Sequence, residues 1–185
     1  MIDQTWTLFL DRDGVINERL PGAYVDRWED FQFRERVPQS ISYFSSIFSK
    51  IIVVTNQQGI GKGLMSTHDL NALHHQMIAE LSNFGARIDG IYFCPDLKTK
   101  TPNCRKPAPS MALAAQRDFP SIDFQKSIMV GDSLSDMQFG NGLGMKTILI
   151  ESKLDELEQI NHAGEKIDYR FQHLWQLAEE LEEGL

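Results

Sequence analysis

The most informative stretch of the sequence is TLFLDRDG, residues 7–14. It begins as a short β-rich run, which is typical of a strand that helices bury on both faces of a parallel sheet. Asp11 and Asp13 follow at the carboxyl end of this strand, the edge at which open α/β sheets bind ligands. Because neighbouring strand residues alternate in direction, both carboxylates can face one ligand while Arg12 points away. Gly14 then allows a sharp turn, so the stretch predicts a strand that ends in a ligand site.

Similar runs recur along the chain and alternate with longer helical patterns, which is typical of a parallel sheet covered by helices. We predict strands at residues 7–10, 51–55, 88–94, 127–130 and 146–150, with a weaker candidate at 169–171. We predict helices at residues 38–48, 67–84, 109–118, 135–141, 153–160 and 172–183. The sequence therefore predicts an α/β, Rossmann-like fold of three layers, in which residues 1–185 form a single domain.

The composition is that of an ordinary soluble protein, with 42% hydrophobic and 24% charged residues. No stretch approaches the roughly 20 apolar residues of a membrane helix, and the N-terminus shows no export signal, so we expect a cytoplasmic protein. The net charge of −8 argues against nucleic-acid binding. We expect a monomer whose partner is a small molecule. Cys94 and Cys104 do not make a disulfide framework, and free thiols are expected in a reducing compartment.

The pair Asp11 and Asp13 indicates a cation site. Two close carboxylates repel each other, which favours a shared proton or a bound cation. Magnesium is the best match, because it prefers hard oxygen ligands and no cysteine or histidine cluster stands nearby for a softer metal. The alternative is a solvated turn, since aspartate and glycine are common turn residues.

Two other predicted strand ends carry polar residues at the same edge of the sheet. The strand at residues 51–55 ends in Thr55-Asn56, and the strand at 127–130 runs into the acidic segment 131–136. Lys106 lies between them in the sequence. Carboxylates, a hydroxyl and an ammonium together complement a phosphoryl group and its metal ion. The sequence thus favours phosphoryl chemistry over a solvated turn.

These motifs, in this order and spacing, resemble the four motifs of the haloacid-dehalogenase-like phosphatase superfamily. The resemblance rests on DRDGV at 11–15, Thr55-Asn56, Lys106, and Gly131-Asp132 through Asp136. Additional segments resemble the heptose-bisphosphate and histidinol-phosphate phosphatases, namely DRDGVIN at 11–17, Tyr24-Val25, VTNQQGI at 54–60, CRKP at 104–107 and VGD at 130–132. The intervals between motifs leave no room for a large cap domain. The long connections at 14–33 and 95–107 would then cover the site.

The resemblance implies a magnesium-dependent phosphatase that acts through a phospho-aspartate. Asp11 would be the nucleophile, and Asp13 would protonate the leaving oxygen and then deprotonate the attacking water. Thr55 and Lys106 would hold the phosphoryl oxygens. The metal would be bound by Asp11, the backbone carbonyl of Asp13 and Asp132, with Asp136 as an outer or alternative acidic contact.

The same resemblance implies D-glycero-D-manno-heptose 1,7-bisphosphate or a similar sugar phosphate as substrate, with histidinol phosphate as the runner-up. The candidate substrate-binding residues are Asn17, Asn56, Gln57, Lys62 and Arg105. Lys62 stands where the family usually has arginine, so a contact with a distal phosphate and a solvated lysine are both open. Ser133 stands where lysine is usual. Arg105 is the better candidate for the second phosphate, because a guanidinium forks onto phosphate.

The chain departs from the family in its cysteine loop. Heptose-bisphosphate phosphatases usually bind a structural zinc with a Cys-Pro-His segment and a later Cys-x-Cys. Here Cys94 and Cys104 remain, but Asp96 and Pro102 replace the other two ligands. Because closed structural zinc sites have four ligands, we do not expect zinc.

Two other functions have similar residues. A signalling receiver domain also uses acidic residues, a hydroxyl and a lysine, but its phospho-acceptor aspartate ends a later strand, where this chain has Thr55. A haloacid dehalogenase lacks the counterpart of Asp13. We assign no role to the histidines. His74 and His75 fall inside a predicted helix, where exposure or partial burial is more common than catalysis, and His68, His162 and His173 have no carboxylate or cysteine cluster around them.

Overall fold

The computed structural model describes residues 2–20, 22–151 and 154–184, and its centre is an open sheet of six parallel strands. The strands lie in the order β3-β2-β1-β4-β5-β6. Their bounds are β1 Thr7–Leu10, β2 Lys50–Asn56, β3 Gly90–Cys94, β4 Ser127–Gly131, β5 Lys146–Ile150 and β6 Tyr169–Phe171. All six predicted strands are present, each within two residues of its predicted bounds.

Helices fill the intervals between the strands. Their bounds are α1 Val37–Ile47, α2 Gln58–Gly61, α3 Thr67–Ser82, α4 Ser110–Asp118, α5 Leu134–Leu143, α6 Leu154–Ala163 and α7 Leu174–Glu182. The six predicted helices are present, although the predicted start of α6 at Lys153 lies outside the described residues. The short α2 and the 3-10 turns at Trp28–Asp30 and Phe124–Lys126 were not predicted, because each is too short to show a helical period.

The core confirms the three-layer arrangement. Alternate residues of β1 enter different clusters, with Leu8 and Leu10 on one face of the sheet and Phe9 on the other. Buried residues of α1, α3 and α7 pack on the first face, and those of α4 and α5 pack on the second. Because both faces are covered, the central strands are continuous apolar runs, as the sequence indicated.

The strand order reverses between β1 and β4, and this is the switch point at which open α/β sheets bind ligands. β1 runs parallel to β2 on one side and to β4 on the other, and Leu10 is in register with Val53 and Val130. The residues that follow these three positions therefore meet at one edge of the sheet.

The connections at this edge are loops. The segment between β1 and α1 contains one 3-10 turn among its described residues, and the segment between β3 and α4 contains no helix or strand. Neither connection forms a cap domain, as predicted. No helix in the described part of the chain is long and apolar enough to cross a membrane.

Gly140 allows α5 to lie close to the sheet. A Cβ at this position would lie 2.6 Å from the Thr147 Cγ2 and 2.9 Å from the Met129 Cβ, shorter than ordinary carbon contacts. Gly142, in the same helix, is exposed and has open space around a Cβ. The position of α5 matters because its first turn carries Asp136, which lies in the site described below.

We predict that Gly140→Ala lowers the free energy of unfolding by about 1–3 kcal/mol, because the new methyl group overpacks the contact of α5 with β4 and β5. Gly142→Ala is the matched control. It adds the same methyl group to the same helix without a clash, so it should be neutral or stabilising by up to about 1 kcal/mol. Chemical denaturation of the two variants measures the difference, and equal effects would contradict the close packing of α5.

Candidate active site

The turn after β1 places Asp11 and Asp13 beyond the end of the strand. The Asp11 N–H donates to the Val130 carbonyl at 2.9 Å, which extends the pairing of β1 with β4 by one residue. The chain then turns around the Arg12 carbonyl, which accepts N–H bonds from Val15, Ile16 and Asn17. Both aspartates are thereby fixed on a hydrogen-bonded backbone.

Gly14 brings this turn against the strand end of β4. Its φ is +95°, a conformation that residues with side chains rarely adopt. A Cβ at Gly14 would lie 1.8 Å from Oδ2 of Asp132. The turn therefore packs directly on the Asp132 carboxylate, and glycine is required for that approach.

Lys106 joins three parts of the site. Its Nζ lies 2.8 Å from Oδ1 of Asp11 and 2.6 Å from Oδ1 of Asp136, and it donates to the Val54 carbonyl at 2.7 Å. These three acceptors match the three N–H bonds of an ammonium group. The Asn56 side chain holds the Lys106 backbone, since its Oδ1 accepts from the Lys106 N–H at 3.0 Å. Lys106 is only 4% exposed, so this cation is fixed inside the protein.

Asp136 is held by the start of α5 as well as by Lys106. Its Oδ2 accepts from the backbone N–H groups of Asp132 and Ser133 at 3.2 and 3.1 Å, and from the Ser133 hydroxyl at 2.6 Å. Gly131 makes room for this arrangement, because a Cβ there would lie 2.1 Å from that of Asp136. Asp136 thus links the end of β4 to the ammonium of Lys106.

Asp13 is surrounded by donors. Arg12 Nη2 lies 2.8 Å from Oδ1 of Asp13, Asn17 Nδ2 donates to the same oxygen at 3.0 Å, and Gln57 Nε2 donates to Oδ2 at 2.8 Å. Gln57 Nε2 also lies 2.9 Å from the Thr55 hydroxyl. Arg12 does not line the cavity described below, so it points away from the ligand site as predicted, but its contact with Asp13 is not what alternation along a strand indicates. The chain leaves β1 at Leu10, so strand alternation no longer applies, and the buried guanidinium turns to the carboxylate beside it.

His74 lies behind Arg12. Its Nε2 is 3.2 Å from Nη1 of Arg12, and both side chains are buried. Burial and the neighbouring guanidinium lower the pKa of His74 to about 3, so the imidazole is neutral and accepts from Arg12. The sequence alone does not indicate this contact, because α3 brings His74 to Arg12 only in the folded chain. Here His74 orients the arginine that orients Asp13.

The two aspartates differ in their electrostatic surroundings. Burial, together with the nearby Asp136, raises the pKa of Asp11 to about 6, although Lys106 opposes the shift. Burial alone would raise the pKa of Asp13, but Arg12 and its hydrogen bonds outweigh it and hold that pKa below its ordinary value. Burial would lower the pKa of Lys106, but Asp11 and Asp136 raise it above the ordinary value. The metal-free site therefore favours an ionised Asp13 and a charged Lys106.

A cavity of about 420 Å³ opens over these groups. Asp11, Asp13, Thr55 and Lys106 line its floor, and its rim carries Asn56, Lys62, Lys98, Arg105 and Tyr24. Lys62 is exposed and lies over the Tyr24 ring at 5.2 Å. Of the candidate substrate-binding residues, Asn17 and Gln57 are buried behind Asp13 and do not line this cavity.

The cysteine loop approaches the same cavity. Cys94, at the end of β3, forms a disulfide with Cys104, and their Cα atoms are 5.5 Å apart. The expectation of free thiols is therefore wrong, because the loop 95–103 returns to β3 in a way that spacing along the sequence does not indicate. Arg105 follows this bridge, and its Nη1 donates to the Asp96 carbonyl at 3.1 Å. The bridge thus anchors the segment that carries Arg105 and Lys106.

The oxygen atoms at the switch point fit a hard divalent cation. Asp11, Asp132 and Asp136 each offer a carboxylate oxygen, and these atoms lie within 4.8 Å of one another. The Asp13 backbone carbonyl and the Asp132 carboxylate both contact the guanidinium of Arg19, a residue that the sequence analysis did not identify. A set of oxygen donors without nitrogen or sulfur suits magnesium.

The chain is similar to known phosphatases over most of its length. A family model described as "HAD-hyrolase-like" matches residues 103–177. A D-glycero-alpha-D-manno-heptose-1,7-bisphosphate 7-phosphatase of Mycobacterium bovis is 37% identical, over 94% of this chain and 90% of the relative. A D-glycero-beta-D-manno-heptose-1,7-bisphosphate 7-phosphatase of Helicobacter pylori is 35% identical, over 81% of this chain and 85% of the relative.

A solved structure agrees with these relatives. The D,D-heptose 1,7-bisphosphate phosphatase of B. bronchiseptica, complexed with magnesium and phosphate, is 28% identical with a TM-score of 0.86, covering 97% of this chain and 99% of that one. The chain therefore belongs to the haloacid-dehalogenase-like phosphatases, and within them to the family of the heptose-1,7-bisphosphate 7-phosphatases. The resemblance seen in the motifs is confirmed, and the chain is a phosphoric monoester hydrolase.

We predict opposite effects on stability when either aspartate loses its charge in the metal-free protein. The raised pKa of Asp11 means that the native state binds more protons than the unfolded state between about pH 4 and pH 6, so its contribution falls as pH rises through that range. Asp11→Asn should therefore raise the free energy of unfolding at pH 8 by about 1–3 kcal/mol, and change it little at pH 4.

Asp13→Asn is the matched comparison. It leaves the buried Arg12 without its carboxylate, so it should lower the free energy of unfolding at pH 8. Urea denaturation in EDTA at both pH values measures the two effects. A loss of stability in both variants at pH 8 would show that the ionised Asp11 carboxylate does not destabilise the native state.

Proposed function

We propose that the chain hydrolyses one phosphate of a sugar bisphosphate, through a phospho-aspartate on Asp11 and with magnesium as cofactor. The observation that carries the proposal is the position of Asp11. Its carboxylate lies on the cavity floor, beside the buried ammonium of Lys106 and among the oxygens suited to the metal. A phosphoryl group bonded to Asp11 would place its oxygens against that ammonium, where they gain charge.

Asp11 is the nucleophile in this proposal, and it must be ionised to attack phosphorus. Magnesium bound by Asp11, Asp132 and the Asp13 carbonyl would favour the ionised carboxylate and offset the charge of the phosphate. The structure of the relative from B. bronchiseptica contains magnesium and phosphate, which supports this cofactor. Lys106 and the Thr55 hydroxyl would orient the phosphoryl oxygens during attack.

Asp13 is the acid and then the base. Arg12, Asn17 and Gln57 donate hydrogen bonds that hold the Asp13 carboxylate beside the cavity. These donors also lower its pKa, so the carboxylate is ionised in the absence of substrate. A phosphate dianion next to Asp13 would repel the charged form and favour the protonated acid that the leaving oxygen requires. After the sugar leaves, the environment again favours the carboxylate, which can deprotonate water.

The rim of the cavity supports a substrate with a second phosphate. Lys62, Lys98 and Arg105 lie around it, and they are cationic groups within a chain whose net charge is −8. Histidinol phosphate carries an ammonium group in place of a second phosphate, and these cations would repel it. The rim therefore favours a bisphosphate over the runner-up.

We propose D-glycero-D-manno-heptose 1,7-bisphosphate as that substrate, with loss of the 7-phosphate. The relatives named above are 7-phosphatases for this sugar, with either the alpha or the beta configuration. The 7-phosphate stands on an exocyclic arm, which can reach Asp11 on the cavity floor. The ring and its 1-phosphate would then remain near Arg105 at the rim. We also propose that the chain is a single-domain monomer in the cytoplasm, as the sequence predicts.

Structural zinc has no place in the proposal. The disulfide occupies both cysteine sulfurs, and Pro102 offers no side-chain ligand.

We predict that Arg105→Ala raises KM for the heptose bisphosphate by about tenfold or more and changes KM for a heptose 7-phosphate little, because the second phosphate loses a charge-assisted contact. Arg117→Ala is the control, since it removes the same charge from an exposed position outside the cavity. Phosphate release with both anomers, the monophosphate and histidinol phosphate measures these effects. Equal changes for the bisphosphate and the monophosphate would place Arg105 on the reacting phosphate. A preference for histidinol phosphate would overturn the substrate.

We also predict that Asp13→Asn lowers kcat on the sugar phosphate by about 10²–10⁴-fold, the range expected for a general acid–base group. The formation of the phospho-enzyme from p-nitrophenyl phosphate should be affected much less, because that leaving group departs without a proton. Burst kinetics with the two substrates, at a temperature where the variant is folded, separates the steps. An equal loss in the burst rate for both substrates would argue against Asp13 as the acid.

A further inference from the structure

Arg19 lies against the acidic groups of the active site. Its Nε donates to the Asp13 backbone carbonyl at 2.8 Å, and its Nη2 forms an ion pair with the Asp132 carboxylate. These are two of the oxygens that the proposed function assigns to magnesium. Arg19 comes from the long connection after β1 and lines the cavity.

The close fit of Arg19 depends on Gly14. A Cβ at that glycine would lie 2.8 Å from the Arg19 Nε and 1.8 Å from the Asp132 carboxylate. The guanidinium and the carboxylate therefore meet in a space that a larger residue at position 14 would fill. This contact is part of the packing of the turn, and it involves a side chain that is only 30% exposed.

The charges of the site explain why a guanidinium lies there. Among the described residues, Arg12, Lys106 and Arg19 are the cations that contact the carboxylates of the site, namely Asp11, Asp13, Asp132 and Asp136. Carboxylates at such distances repel each other unless a cation lies between them. Arg19 supplies that cation, and its pKa is raised, since the four carboxylates outweigh burial.

A metal ion that bound both the Asp13 carbonyl and the Asp132 carboxylate would lie where the guanidinium of Arg19 bridges them, and two cations so close repel each other. Arg19 places N–H groups where a metal would need the lone pairs of the Asp13 carbonyl and the Asp132 carboxylate. Any fraction of molecules with Arg19 in this position is unable to bind metal, so the apparent metal affinity is reduced by that fraction.

We propose that Arg19 is a displaceable counter-ion of the metal site, which stabilises the metal-free protein and must leave Asp132 and the Asp13 carbonyl before magnesium binds. The proposal rests on the metal site of the proposed function. Its consequence is that Arg19 weakens metal binding and protects the acidic cluster when metal is scarce. A cation that merely lines the cavity would have neither effect.

The test is metal binding in the absence of substrate, measured for the whole chain by calorimetry with Mg²⁺ and by electron paramagnetic resonance with Mn²⁺. We expect Arg19→Ala and Arg19→Gln to bind either ion about tenfold more tightly than the wild type, as follows if Arg19 holds the site in about nine molecules of ten. Both variants should melt at a lower temperature than the wild type in EDTA. Added Mg²⁺ should raise their melting temperatures by more than it raises that of the wild type. Arg19→Gln keeps a polar side chain of similar length, so it tests the charge if the alanine variant folds poorly.

Arg27→Ala is the control, because Arg27 belongs to the same connection but lies on the surface and pairs with Asp26 and Asp30. Arg27→Ala should change neither the metal affinity nor the rise in melting temperature that Mg²⁺ causes. Unchanged or weaker metal binding in both Arg19 variants would overturn the proposal, while activity of the wild type with Mg²⁺ would leave the proposed function intact. If the wild type binds neither Mg²⁺ nor Mn²⁺, the metal site does not exist, and both this proposal and the proposed function are wrong.

Discussion

The ion pairs of Lys106 are the interaction on which the site depends. One buried ammonium contacts Asp11 after β1, Asp136 in α5 and the Val54 carbonyl in β2. A buried charge is tolerated only when partners compensate its loss of water, and here the partners come from three elements of the sheet edge. The same ammonium therefore fixes the relative positions of these elements and lies beside Asp11, the proposed nucleophile. The arrangement of the strand ends and the proposed catalytic geometry thus depend on the same cation.

The site also explains how one kind of side chain can take different roles. Asp11 and Asp13 are two residues apart, but only Asp13 has a guanidinium and two amide donors on its carboxylate. Asp11 faces Asp136 and shares Lys106 with it. The surroundings thus raise the pKa of Asp11 and lower that of Asp13. Such a difference is typical of enzymes in which two carboxyl groups take an acid–base role and a nucleophilic role, as proposed here. His74 in α3 contributes to this difference, because it contacts Arg12, the arginine that donates to Asp13.

The sequence was sufficient to predict the sheet and the meeting of Asp11, Lys106 and Asp132, since apolar runs mark buried strands and parallel strands share one carboxyl edge. It was insufficient where a contact arises from packing between distant segments. The pairing of His74 with Arg12 and the approach of Arg19 to Asp132 join such segments. The disulfide joins cysteines only ten residues apart, but it depends on the path of the loop between them. Strand alternation also did not indicate the contact of Arg12 with Asp13, because the strand ends one residue before Asp11. No local period encodes any of these contacts.

The covalent role of Asp11 is the centre of the account, and reductive trapping tests it most directly. Acid quench during steady-state turnover of the heptose bisphosphate with Mg²⁺, followed by borohydride, converts a phospho-aspartate to homoserine, which peptide mass spectrometry can locate. The account predicts homoserine at position 11 alone, and none when substrate is omitted. Homoserine at Asp13, Asp132 or Asp136, or an unmodified chain quenched while phosphate is being released at saturation, would contradict it.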